Sequence, residues 1–193
     1  MTTSFRIART ACSALGLSVL IACGGGGGNN NPPPKSSADT LSYSNPTGTY
    51  VLVRNTTKST ASHLVLDLIG PAGGVSGVGF YLTADQTKVT WSTVDPGDSE
   101  KVKSAVFSNT LVKTKVSGDT LQAGVYQKGT SAAVSATSST VLASVALDLK
   151  TSLPVNSSIS FGAVSGKAII LNPPANATPT SSITITVGSI TAS

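Results

Sequence analysis

The chain has 193 residues, of which 39% are hydrophobic, 5% aromatic and 11% charged, and it carries a formal charge of +5. Its basic residues are scattered singly or in pairs such as Lys101/Lys103 and Lys113/Lys115, which excludes the dense basic stripe with interleaved aromatics that binds nucleic acid. With one histidine and two cysteines, the chain is poor in the Cys, His and carboxylate sets of three or four that hold zinc, and no zinc site is expected.

Arg6 and Arg9 open the chain with no acidic residue nearby, and an apolar run follows over residues 11–22. That run falls short of the roughly 20 apolar residues a spanning helix needs; it has the form of the apolar core of a secretory signal. It closes in Leu20-Ile21-Ala22-Cys23, directly before Gly24 to Gly28. This junction resembles the processing and lipidation site of bacterial lipoproteins. The resemblance implies cleavage after Ala22, loss of Cys12 with the leader, and acyl chains on Cys23. Gly24, rather than Asp, follows the cysteine, which by the same resemblance implies the outer membrane. Each acyl CH₂ buried in lipid contributes about 0.8 kcal/mol, so several chains on Cys23 suffice as an anchor. The mature chain then holds one cysteine, tied up in a thioether, and 11 basic against 8 acidic residues.

Five glycines, Asn29 to Asn31 and Pro32 to Pro34 come next. They supply no apolar surface to offset chain entropy and lack the Lys-Ser/Thr ending of a phosphate loop. The expected organisation is a leader over 1–22, a lipidated cysteine and flexible tether over 23–45, and one folded domain over 46–193.

Within that domain the pattern is strand after strand. Tyr50 to Val53 form the first. Leu64, Leu66 and Leu68 then alternate with Val65 and Asp67, which places the leucines in a core and Asp67 in water. Val78, Phe80 and Leu82 repeat the alternation. Residues 98–107 have room for a turn of helix. Leu111 to Val116 and Leu121 to Tyr126 flank Ser117-Gly118-Asp119-Thr120, a hairpin turn. Val141 to Leu149 is the longest alternation. Phe161 to Val164 and Ala168 to Leu171 flank a turn at Ser165-Gly166-Lys167, and Ile183, Ile185 and Val187 mark the last strand. About nine short strands at this spacing predict an all-β fold, a single antiparallel β-sandwich.

Gly77-Val78-Gly79-Phe80-Tyr81-Leu82-Thr83-Ala84-Asp85 resembles the early strand of cohesin-type domains, and Leu142-Ala143-Ser144-Val145-Ala146-Leu147-Asp148-Leu149 resembles a later one. The resemblance extends over most of residues 47–191. It implies a jelly-roll-like sandwich related to carbohydrate-binding modules, and a protein-binding rather than catalytic role. No dockerin-contacting residue carries over.

Three groups of residues are candidates for function. His63 shares a strand face with Val65 and Asp67, but no G-x-S-x-G accompanies it, so a surface-facing strand histidine is the expectation and no catalytic residue is assigned. Asp95, Asp98 and Glu100 place three carboxylates in one turn, which suits Ca²⁺ weakly because the spacing is not that of an EF-hand; a solvated Pro96-Gly97 turn is the simpler reading. Tyr81, Trp91 and Tyr126 are the rings available for a sugar-binding platform, against which stands the tendency of Trp to be buried. The sequence thus predicts a non-enzymatic envelope lipoprotein without a cofactor. Its partners are lipid through Cys23 and an envelope protein; the alternative is a carbohydrate-binding module for cell-wall or extracellular polysaccharide.

Overall fold

The computed structural model describes residues 37–107, 109–129, 132–173 and 178–193. The leader, Cys23 and the Gly/Asn/Pro run lie outside the described residues. Among the described residues every regular element is a strand.

Two sheets of six strands carry the fold. The first contains β1 (Tyr50–Arg54), β2 (His63–Ile69), β4 (Val89–Ser92), β5 (Val102–Lys103), β8 (Val141–Leu149) and β12 (Ile185–Thr186). Its order is β12-β1-β2-β8-β4, with β5 continuing the β4 edge along β8. The second contains β3 (Gly77–Ala84), β6 (Thr110–Ser117), β7 (Thr120–Gln127), β9 (Phe161–Ala163), β10 (Ile169–Leu171) and β11 (Thr180–Ser182). Its order is β11-β10-β3-β7-β6, and β9 lies against the far end of β3. The strands outnumber those expected because many are pieces of two or three residues, most of them after Leu149. One pairing departs from the antiparallel rule: β12 runs parallel to β1.

The inward faces form one apolar core. Leu64, Leu66, Leu68, Val145, Leu147, Val89 and Trp91 come from the first sheet, and Val78, Phe80, Leu82, Leu121 and Val125 from the second. The expected hairpin joins β6 to β7, with Ser117 paired to Thr120. Its Gly118 has φ = +57°, which a residue without a β-carbon adopts freely. Gly166 likewise has φ = +67°, but the strands it separates do not pair with each other; β9 and β10 both lie along β3.

Three expectations need correction. First, the folded body starts before residue 46. Ala38 and Leu41 are fully buried, Leu41–Tyr43 pairs with Ile190–Ala192, and Ser37–Ala38 pairs with Leu153–Pro154. The polar residues around Leu41 disguise it, yet a single alternating Leu is enough to enter the core. The strand at Ile190–Ala192, not the Ile183 to Val187 segment, is the last of the chain. Second, residues 98–107 form no helix; they supply β5 and bends on either side of it.

Third, Asp67 does not face water. It is only 8% exposed and accepts hydrogen bonds from Asn55 Nδ2 at 2.8 Å and Ser144 Oγ at 2.6 Å. Lys58, Lys103 and Ser104 also gather around it, and the chain between β4 and β5 covers the neighbouring strand positions. That chain leaves the sheet edge, folds over the outer face, and drives Val94 against Val65 and Ala146 in a second small apolar cluster. Part of the outer face of β2 and β8 is therefore covered, and the buried carboxylate needs its two donors.

Candidate functional site

The outer face of the second sheet presents exposed and half-buried side chains along β3, β7 and β6. Alternation sends Val78, Phe80 and Leu82 of β3 inward and leaves Gly77, Gly79, Tyr81 and Thr83 outward. Register then sets Tyr126 of β7 beside Gly77 and Leu111, Gly124 beside Gly79 and Lys113, and Gln122 beside Tyr81 and Lys115. The three glycines make a bed on which the Tyr126 ring lies. A β-carbon on Gly77 would stand 2.8 Å from Tyr126 Cδ1, and one on Gly79 would stand 3.0 Å from its phenolic oxygen.

The ring therefore lies along the sheet, and its fixed position defines a shallow depression of ≈ 220 Å³ lined by Tyr81, Lys113, Lys115, Gln122 and Tyr126. Leu111 is 36% exposed beside it, on the sheet's edge strand. None of these strand positions is acidic, so Lys113 and Lys115 set a positive field across the face.

The outer face of the first sheet is built differently. His63 and Asp148 are directly paired across β2 and β8, and His63 Nδ1 lies 2.5 Å from Asp148 Oδ1. Nearby, Lys58 Nζ and Lys103 Nζ donate to Asp95 Oδ2 at 2.8 and 2.7 Å, and Lys103 also reaches Asp98 Oδ1 at 3.0 Å. The two lysines, Lys103 first, hold the Asp95 carboxyl below its ordinary value, and Asp95 with Asp98 raises Lys103.

The sequence candidates are thus redistributed. Tyr81 and Tyr126 come together on one face. Trp91 joins them nowhere: it is 3% exposed, its Nε1 donates to the Asp119 carbonyl at 3.3 Å, and its ring centroid lies 6.3 Å from that of Phe161. A three-ring platform does not assemble, because β4 alternates Val89 and Trp91 into the core. Asp95 and Asp98 come together, but around Lys103, while Glu100 accepts from Thr114 Oγ1 on the other sheet. Among the described residues no three His, Cys, Asp or Glu side chains are grouped to hold a metal ion. Lys113 and Lys115 were visible only as a pair on one strand face; their meeting with Tyr81 and Tyr126 depends on register that the sequence does not display.

The fold is similar to that of solved structures. The sixth cohesin of scaffoldin B from Acetivibrio cellulolyticus, in complex with a mutant Cel5 dockerin, superposes with a TM-score of 0.52 at 18% identity, covering 74% of this chain and 97% of that one. A type II cohesin domain from the cellulosome of the same organism gives 0.50 at 12% identity, covering 75% and 95%. The fold is cohesin-like. No family model matches the chain, and no curated protein matches it. At these identities the cohesin-like assignment concerns the fold, and the site must be argued from its own residues.

Proposed function

We propose that this protein is a non-enzymatic binding module that presents the Tyr81–Tyr126–Lys113–Lys115 face to a protein partner at the cell envelope. In this reading acyl chains on Cys23 hold it at the outer membrane, and residues 24–36 space the sandwich from the lipid. The observation that carries the reading is the bed of Gly77, Gly79 and Gly124 under Tyr126. It holds an aromatic ring in place beside two lysines. Rigid aromatics bury large area at little entropic cost, which is why they serve as anchors in interfaces. The strand positions of the face offer no histidine, cysteine or carboxylate, so they supply recognition groups rather than an acid–base pair. A fold neighbour crystallised with a dockerin supports a protein as the partner class. The charge of the face favours an acidic one.

The test is a binding comparison after affinity isolation of the partner from envelope membranes. Tyr126→Ala and the double variant Lys113→Glu/Lys115→Glu should each weaken binding at least about tenfold, while the fold is retained by circular dichroism. Binding indifferent to both variants refutes the assignment of the face.

A further inference from the structure

We infer that the groove over His63 and Asp148, on the outer face of the first sheet, is a binding site for a neutral saccharide. It stands apart from the protein-binding face, which belongs to the other sheet. The groove has a volume of ≈ 400 Å³ and runs between the ends of β2, β8 and β4 and the chain that arches over them at Thr93 to Pro96. That volume is within the range of ≈ 300–1,000 Å³ typical of small-molecule sites.

Its walls combine two kinds of surface. Val94, pinned into the outer cluster, and Pro96 provide an apolar side. The rest is polar and largely uncommitted. The His63–Asp148 contact uses one nitrogen and one oxygen, leaving imidazole Nε2 and Asp148 Oδ2 with no protein partner among the described residues. The hydroxyls of Ser92 and Thr93 have none either, whereas Thr60 Oγ1 accepts from the His63 amide at 3.3 Å. Asp148 fixes the imidazole from one side and the Thr60 turn fixes the His63 backbone from the other, so these groups are held in place before a ligand arrives.

Donors and acceptors mixed on one wall and apolar carbons on the other match a pyranose, whose hydroxyls radiate around an apolar C–H face. Charge narrows the class. Lys58, the one lysine lining the groove, is engaged by Asp95 at 2.8 Å, and Asp148 adds a carboxylate that is 41% exposed. An anionic sugar would meet a carboxylate with no uncommitted lysine or arginine among the lining residues to offset it. The ligand is therefore not an anionic sugar, and the mixed donors and acceptors suit a neutral one.

Isothermal calorimetry on the full chain, in a polyoxyethylene detergent, tests this with cellobiose, N,N′-diacetylchitobiose and digalacturonate. At least one of the two neutral disaccharides should bind at millimolar concentration or below, and the preferred one separates plain hexose from N-acetylated glycan. Digalacturonate should not bind. Asp148→Asn should weaken binding about tenfold. Ser92→Ala, which leaves the His63 pair intact, should weaken it several-fold. Tyr126→Ala should leave it unchanged. Silence from both neutral sugars overturns the inference, as does binding that survives both groove variants or that disappears with Tyr126→Ala.

Discussion

The Tyr126 ring lies over Gly124, two residues before it on the same strand: a β-carbon at Gly124 would stand 2.6 Å from Tyr126 Cε2. The ring's position and the absence of a side chain beneath it are one feature. Gly124→Ala should lift the ring off the sheet. Exposed sheet-face contacts of this kind contribute roughly 0.2–1 kcal/mol, so stability should fall by about that much, while partner binding should fall further because the ring is displaced. Denaturant melts paired with a binding titration separate the two effects. A variant with unchanged binding would show that the bed does not set the ring.

Trp91 should behave as a core residue and not as a ligand contact. Removing a buried large aromatic costs about 3–5 kcal/mol, so Trp91→Ala should unfold at much lower denaturant or fail to fold. A Trp91→Ala protein of normal stability that had lost a binding activity would restore the platform reading.

The buried Asp67 depends on its donors. Asp67→Ala leaves Asn55 Nδ2 and Ser144 Oγ without their acceptor, at about 1–3 kcal/mol for unsatisfied buried groups. Asp67→Asn should be milder, since its carbonyl accepts from Asn55 and its amide donates to Ser144. Equal losses in the two variants, measured by urea melts, would argue against this network.

Much of the sandwich is legible in the sequence. Period-two alternation exposes β2, β3, β7 and β8, and Gly118 marks the hairpin. What alternation does not report is whether the second face of a strand is covered. Asp67 reads as solvated until Asn55 and Ser144 are placed beside it. The His63–Asp148 contact joins residues 85 positions apart and follows only from the register of β2 against β8. Trp91 was readable: Val89 and Trp91 alternate with polar Thr90 and Ser92, which is the signature of an inward-facing ring. The start of the domain was hidden by the polar residues around Leu41.

Stability should fall at both the acid and the alkaline end of the pH range. Asp95, held down by Lys103 and Lys58, and Asp85, held down by the Thr87 hydroxyl and amide, lie below the ordinary 3.8. A lowered carboxylate contributes stability that is present above its unfolded value and lost as pH falls through its folded one. That loss therefore begins below about pH 4. At the alkaline end, burial raises Tyr43 above 10.0 and the two aspartates raise Lys103 above 10.5. Their contribution is complete below those values and disappears as pH climbs through the raised ones. The lysine–aspartate pairs are exposed and screened by salt, so their share should shrink in 1 M NaCl. Asp95→Asn should flatten the acid limb of a Tm-against-pH curve. An acid limb identical to wild type would contradict the role given to this pair.

Tyr43 ties β1 to the segment that follows β12. Its hydroxyl donates to the Leu52 carbonyl at 2.9 Å and accepts from the Gly188 amide at 2.7 Å. Tyr43→Phe should cost about 1–3 kcal/mol and soften the alkaline limb. A melt indistinguishable from wild type at pH 7 would remove this tie from the account.

The most direct test of the central claim is photocrosslinking in intact cells, with the reactive residue placed at Gln122 on the Tyr126 face or at Lys150 beyond the end of β8 as a control. The account predicts one discrete protein adduct from Gln122, none from Lys150, and loss of the adduct when Lys113 and Lys115 are both changed to Glu. Adducts of equal yield from both positions, or adducts to lipid alone, would contradict it.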